Sequence, residues 1–454
     1  MVKSISKLIE RGANMEEKKT FRNYRELEES RNAYEKVFAL EKGRRQAVSY
    51  PQPIHEKIDG EWKEIDCRFY EKDKAFVSSM QKRNVTCAAS AQKPFVQLAD
   101  DNGNVLSYWL EECAETAPKL EQEPLPEENT LEAQREIPLF KTYGAVRYEK
   151  IYPDADLLCE ASSGEFKDEI IFKKEYRPVV YHITAPFLVP RVTDQGIDFV
   201  DKNGEARFTL PRPFYMDANA EAFAAVSQLE QVAEYEWRLI IRLEDEKAAV
   251  VYPLVLDPAI YTGRYDSNIA STYVDSGNAG TNYGSSTTLP LCHISDRDKI
   301  AYVRLQSLPQ MDSSHYLTQV CVCLAKYAQP EADTCVHIRG LVPGTGESNW
   351  VQNSVTWNTR PTADAKLETY VNVSHTTSFS HYSEFDITAL GRRWYKGETN
   401  NGVQVETQTT TPNAITMVSS NGGRKPYFLF EYESLAGLED SLAYDSVSNG
   451  RAGT

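Results

Sequence analysis

KIAYVRLQ, residues 299–306, is the stretch from which the fold class is read. It opens a series of short runs bounded by turns. LTQVCVCLAKY (317–327), TCVHIRGL (334–341), NSVTWN (353–358), SEFDITA (383–389), GVQVETQ (402–408), AITMVSS (414–420) and PYFLFEYE (426–433) follow it. No long helical pattern intervenes, and many short strands of this kind predict a β-sandwich. The boundary that precedes the series falls after Asp257-Pro258, where composition shifts toward Ser, Thr, Asn, Gly and Tyr.

Upstream the signals are also β-type. FVQLADDNGNVLSYWL and GIDFVDKNGEARFTL each read as a hairpin, turning at Asp100–Gly103 and at Lys202–Gly204. AEAFAAVSQ fits a short helix or a strand equally well. Residues 114–137 are acidic, proline-containing and poor in apolar residues, so they read as an exposed insertion. Residues 1–45 form a charged leader in which Tyr24, Leu27, Tyr34, Val37, Phe38 and Leu40 fall at roughly helical spacing. The organisation expected is therefore a helical leader (1–45), a β-rich domain (46–258), a β-sandwich (262–433) and a linker-like tail (434–454). The fold class is mainly β, with the C-terminal sandwich of jelly-roll type.

Bulk properties narrow the function. The 454 residues carry 50 Lys and Arg against 66 Asp and Glu, a formal charge of −16. No Lys/Arg-dense stripe is present, which argues against nucleic acid and anionic membrane surfaces as partners. No apolar run is long enough to span a bilayer, and the first twenty residues lack the apolar core of a secretory signal. The eight cysteines are too sparse for a disulfide framework and are expected to be packed thiols.

No nucleophile elbow, zinc motif, Walker loop or dinucleotide fingerprint is found. GNAGTNYG (277–284) is glycine-rich but reads as a surface turn. The sharpest metal arrangement would join Cys321 and Cys323 with Cys335 and His337, if neighbouring strands brought the two pairs together; packed thiols are the blander alternative. Asp266, Asp275, Asn278 and Asn282 could supply oxygen ligands to calcium, although Asp and Asn are also ordinary turn residues. In NSVTWN, alternation puts Trp357 inward beside Val355, while Trp350 lies in the preceding Gly/Ser/Asn loop and is the one expected to be exposed.

Together, NYG (282–284), AYVRL (301–305), NWVQNSVTWNTRP (349–361), FDITAL (385–390) and RWYKGETNNGVQV (393–405) resemble a DNRLRE domain. That family is a β-sandwich module of bacterial surface proteins grouped with carbohydrate-binding modules. YPQPIHEKIDGEWKEID, VRYEKIYPDADLLCEASSGEFKDEIIF, YPLVLDP and the tail GLEDSLAYDSVSNGRAGT are similar to the region around this domain in YD-repeat (Rhs-type, wall-associated) proteins.

The resemblance implies a non-catalytic surface or secreted module that binds cell-wall or other polysaccharide. Asn349, Trp350, Asn358 and Tyr283 would be its ligand residues and a downstream YD-repeat region of the same or a neighbouring chain its partner; no cofactor is expected beyond the calcium that the turn residues could hold. A purely structural cap or scaffold for a YD-repeat shell is the alternative, and a polysaccharide lyase a weaker one. Without a signal sequence, the chain expressed as it stands would remain cytoplasmic.

Overall fold

The structure, a computed structural model, describes residues 24–436 except 81–82, 91–93, 128, 220, 263–266, 328–329, 331, 343–349, 377–380 and 411–414. It is mainly β, with large antiparallel sheets; the described α-helices are two short ones, α1 (Leu131–Lys141) and α2 (Thr388–Tyr395).

The C-terminal part is a two-layer sandwich. One sheet has the order Tyr24–Glu26, Glu35–Leu40, Arg44–Ser49, Tyr427–Ser434, His315–Ala325, Tyr382–Asp386. The other has the order Ala363–Val373, Thr334–Leu341, Val403–Thr407, Arg297–Leu305, Thr288–Ile294, Ile415–Val418, with Ile269–Asp275 also paired to Arg297–Leu305. Val320, Val322, Leu324, Phe428 and Phe430 from the first sheet meet Val303, Val336, Ile338, Val403 and Val405 from the second in one core.

Two strands of the first sheet, Tyr24–Glu26 and Glu35–Leu40, and the start of a third come from the region expected to be a helical leader. Glu35–Leu40 is buried on both faces: Val37 enters the core between the sheets, while Phe38 and Leu40 pack on the other side. A strand with two apolar faces loses the alternation that marks a half-buried one, and its apolar run imitates a helix. Lys36 is buried in this strand and is held by Glu26 at 3.3 Å and by Glu64. Residues 1–23 lie outside the described residues.

Between Ser49 and Ala270 the chain builds a closed β structure from two antiparallel sheets that share the long strand Ala222–Ala233. AEAFAAVSQ is thus strand from Ala222 onward. Both expected hairpins are present, joining Val96–Ala99 to Val105–Leu110 and Gly196–Val200 to Ala206–Pro211. In each turn an aspartate organises the backbone. Asp100 Oδ1 accepts the N–H groups of Asn102 and Asn104 at 2.9 and 2.8 Å, and Asp201 Oδ1 those of Asn203 and Glu205 at 2.8 and 3.1 Å.

The acidic stretch 114–137 is not merely an exposed insertion. It contributes the strand Pro118–Leu120 and the start of α1, capped by Thr130, whose side chain accepts from Ala133 N at 3.2 Å. Leu131 and Leu139 of α1 cover Phe38, Leu40, Cys321, Cys323, Tyr427 and Leu429 on the outer side of the first sandwich sheet. Arg135 pairs with Glu384 at 3.2 Å, and its carbonyl accepts the Tyr50 hydroxyl at 2.7 Å. The middle region is thereby fastened to the sandwich.

Candidate functional site

The second sandwich sheet turns a polar outer face to solvent. Along Thr334–Leu341, Val336 and Ile338 point into the core, so Cys335, His337 and Arg339 point out. Register places His337 between Tyr370 and Glu406, and Arg339 between Glu368 and Gln404. Gln404 is in turn paired with Tyr302. Four strands therefore contribute to a row roughly 14 Å across at ordinary strand spacing, of which the Gln404 and Tyr302 end is buried, with Tyr302 packed against Trp350.

The row is held by charge-assisted contacts. Glu368 Oε1 lies 2.6 Å from His337 Nδ1 and 3.1 Å from Arg339 Nη2. Arg339 Nη1 lies 2.8 Å from Glu406 Oε1 as an ion pair without hydrogen-bond geometry, and Gln404 Nε2 donates to Glu406 Oε2 at 2.6 Å. The His337 contact, aided by Arg339, holds the Glu368 carboxyl below its usual range against the opposing effect of burial. Tyr370 stands at the edge, 64% exposed, its ring 5.7 Å from that of His337. At the other end the Arg360 guanidinium covers the half-buried Trp357 ring, 3.7 Å from its centroid. An exposed aromatic face beside fixed donors and acceptors suits a ligand with apolar C–H faces and many hydroxyls.

The sequence-predicted residues sit elsewhere, and the two tryptophans are exchanged. Trp350 is fully buried; its indole N–H donates to Asn401 O at 3.0 Å, and Tyr302 and Arg304 flank its ring. Trp357 is the half-exposed one. The reason is that NSVTWN forms consecutive turns rather than a strand, with Ser354 N donating to Val351 O and Thr359 N to Thr356 O.

Tyr283 is buried and stacks on Tyr273 with centroids 4.2 Å apart, so it is not a surface ligand residue. Asn358 is exposed in its turn, and Asn349 lies outside the described residues.

Asn282 explains why NYG and the tryptophan segment occur together. Its Nδ2 donates to Gln352 O at 2.9 Å and Val355 O at 2.7 Å, while Gln352 Nε2 returns a bond to Gly284 O at 2.6 Å. A Cβ on Gly284 would stand 2.3 Å from Gln352 O, so the clamp requires glycine.

Of the proposed calcium ligands, Asp275 and Asn282 are engaged in contacts within the chain. Asp275 is buried against Arg297, whose Nε donates to Asp275 Oδ1 at 2.8 Å; burial pushes this carboxyl up, but the arginine holds it below its usual range. Arg297 and Lys299 also reach Glu221 of the middle region, at 2.5 and 3.2 Å. Asn278 is exposed in a short turn, and Asp266 lies outside the described residues. Cys321 and Cys323 face α1 on the first sheet, whereas Cys335 and His337 lie on the outer face of the second, so the four soft ligands do not meet. Among the described residues no group of three or more His, Cys, Asp or Glu is arranged to hold a metal.

Tyr370, Glu368 and Glu406 went unnoticed in the sequence. The signal was the alternation of LETYVNV, which places Glu368, Tyr370 and Asn372 on one side of a strand next to TCVHIRGL.

Residues 264–432 match carbohydrate-binding module family 96. All of the outer-face residues named above fall inside that span. The chain is also similar to nucleases of Bacillus. "tRNA nuclease WapA" of Bacillus subtilis (strain 168) is 21% identical over 416 residues, 84% of this chain and 17% of the relative. "tRNA3(Ser)-specific nuclease WapA" of Bacillus spizizenii is 22% identical over 326 residues, 65% of this chain and 13% of the relative. The chain thus spans no more than about a sixth of the length of these relatives. A solved heparinase III aligns over 54% of this chain and 41% of its own at 10% identity, with a TM-score of 0.26, too low to equate the folds. No helix among the described residues is long and apolar enough to cross a membrane.

Proposed function

We propose that this chain is a non-catalytic, polysaccharide-binding unit from the N-terminal part of a YD-repeat, wall-associated protein, displayed at the cell surface or secreted. Its jelly-roll-type sandwich holds the glycan on the outer face of the sheet that contains Thr334–Leu341. One observation carries this reading: an exposed Tyr370 ring stands beside the His337–Glu368–Arg339–Glu406 network inside the carbohydrate-binding-module match. Tyr370 supplies a stacking surface, and the network supplies donors and acceptors already fixed before binding. A glycan array and pull-down on purified cell-wall polymers test it. Retention of at least one polymer by the wild type, lost in Tyr370→Ala, is the expected result. Failure to bind any polymer would overturn the reading.

A structural reading is favoured by a different observation. Glu221 is held by Arg297 and Lys299, Glu384 by Arg135, and Glu123 by Arg424, so several ion pairs lock the middle region onto the sandwich. Such a rigid two-part body would suit a cap or scaffold for a repeat shell. Co-purification with a downstream YD-repeat segment, without glycan retention, would favour that role.

A further inference from the structure

The middle region encloses a cavity of about 340 Å³ between its two sheets. Leu106, Ile183, Ile197, Leu239 and Ile241 give it apolar walls, and the exposed Val192, Asp194 and Arg212 stand at its rim. Three polar groups converge at its base. Tyr108 and Tyr181 lie on adjacent strands with rings 5.4 Å apart, and both hydroxyls face the carboxyl of Asp168 on the opposite sheet. All three side chains are at least 96% buried, since Tyr108 and Asp168 are 1% exposed and Tyr181 4%. The three interact with one another, but none of these contacts has the distance and angle of an ordinary hydrogen bond. Buried polar atoms are normally fully satisfied, so a loosely held carboxyl and two hydroxyls lining one cavity keep accepting capacity for a ligand.

We infer that this cavity is a binding site for a small primary amine with an apolar body, whose ammonium group is received by Asp168, Tyr108 and Tyr181. An ammonium carries three N–H donors and no acceptor, which matches three oxygens able to accept. Its charge is balanced by the carboxylate, which makes burial of both tolerable. The apolar walls take the rest of the molecule. Burial pushes the Asp168 carboxyl up to about 7, and an adjacent cation would draw it back down. A carboxylate ligand would face Asp168 with like charge, and an alcohol would leave two of the three oxygens unmatched.

Calorimetric titration of the full chain with 2-phenylethylamine, 2-phenylethanol and 3-phenylpropionate tests the inference. The amine should bind one to one with a Kd below about 1 mM, the alcohol at least about tenfold more weakly and the carboxylate not at all. Asp168→Asn should reduce the amine to the level of the alcohol, and Leu229→Trp, which narrows the cavity from a half-buried position, should remove both. If Asp168→Asn fails to fold, judged by near-ultraviolet circular dichroism, the amine-to-alcohol ratio in the wild type and its loss in Leu229→Trp still decide. Equal binding of amine and alcohol, undiminished amine binding in a folded Asp168→Asn, or no binding of any probe would overturn the site and leave a water-filled cavity. Glycan binding on the sandwich is read out separately and does not enter this result.

Discussion

The two sheets of the C-terminal sandwich share a core, yet their outer faces have opposite chemistry. The first presents Phe38, Leu40, Val48, Cys321, Cys323, Tyr427 and Leu429, all covered by α1 and its surroundings. The second presents the half-buried Cys335, His337, Arg339, Glu368 and Glu406, cross-linked by hydrogen bonds and ion pairs, with Tyr370 exposed at their edge. A covered face is a packing surface whose side chains stabilise the fold. An open face of fixed polar groups around an aromatic ring contributes little to stability and is available to a ligand.

The largest expected effect lies on the covered face. Phe38→Ala and Tyr427→Ala should each lower unfolding free energy by about 4 kcal/mol in urea titrations, because both side chains are fully buried. The same measurement should separate the tryptophans at the end of the open face. Trp350→Ala should cost about 4 kcal/mol and Trp357→Ala only about 1 kcal/mol, as one is enclosed and the other packs on one side. Equal costs would mean that the turns across 351–359 are misplaced.

Slightly smaller is the penalty for disturbing the clamp that shapes this end. Gly284→Ala should cost about 3 kcal/mol, since its new methyl meets the Gln352 carbonyl oxygen. Rescue by a second change that shortens the side chain of Gln352 is not expected, because the obstacle is backbone.

Acid should weaken the covered side. His55 is buried, its Nδ1 2.8 Å from Asn32 O, and burial lowers its pKa from 6.5 to about 4. Below pH 6.5 the unfolded chain takes up a proton that the folded chain refuses until about pH 4. Stability therefore falls as pH drops through that window, by up to about 3 kcal/mol. Glu64 adds a second step: burial opposes ionisation, but Lys36 and Lys141 draw its carboxyl down to about 2. Its contribution is complete above pH 4.5 and is lost as pH falls toward 2. His55→Gln should flatten the first step without altering the second, as followed by urea midpoints at a series of pH values. The smallest stability effect is expected for Tyr370→Ala, within about 0.5 kcal/mol, because most of its ring is already in water.

Much of the fold could be read from local pattern. Apart from NSVTWN, the strands expected after Asp257 follow from alternation, as do the Asp-organised hairpins from turn residues and most of the packed thiols from apolar surroundings. What misled was context that only the assembled sheets supply. Glu35–Leu40 is apolar on both sides because α1 covers a sheet nearly a hundred residues earlier in the chain, so its run looks helical. Strand parity within Cys321/Cys323 and within Cys335/His337 was sound, but no local rule tells that the two pairs lie on different sheets. Alternation predicts a strand across the tryptophan segment, whereas Asn282, about seventy residues away, holds it in turns. The open face was within reach, since its residues alternate on adjacent strands; what was lacking was the pairing of Tyr370 with His337.

The contrast between the two faces is tested most directly by retention of the full chain on insoluble cell-wall polysaccharide. Wild type, Tyr370→Ala and Trp357→Ala would be compared with their folding checked by circular dichroism. The account predicts that folded Tyr370→Ala loses at least about tenfold in retention at unchanged stability. Full retention by folded Tyr370→Ala, together with full retention after Arg339→Ala, would contradict a glycan site on the open face.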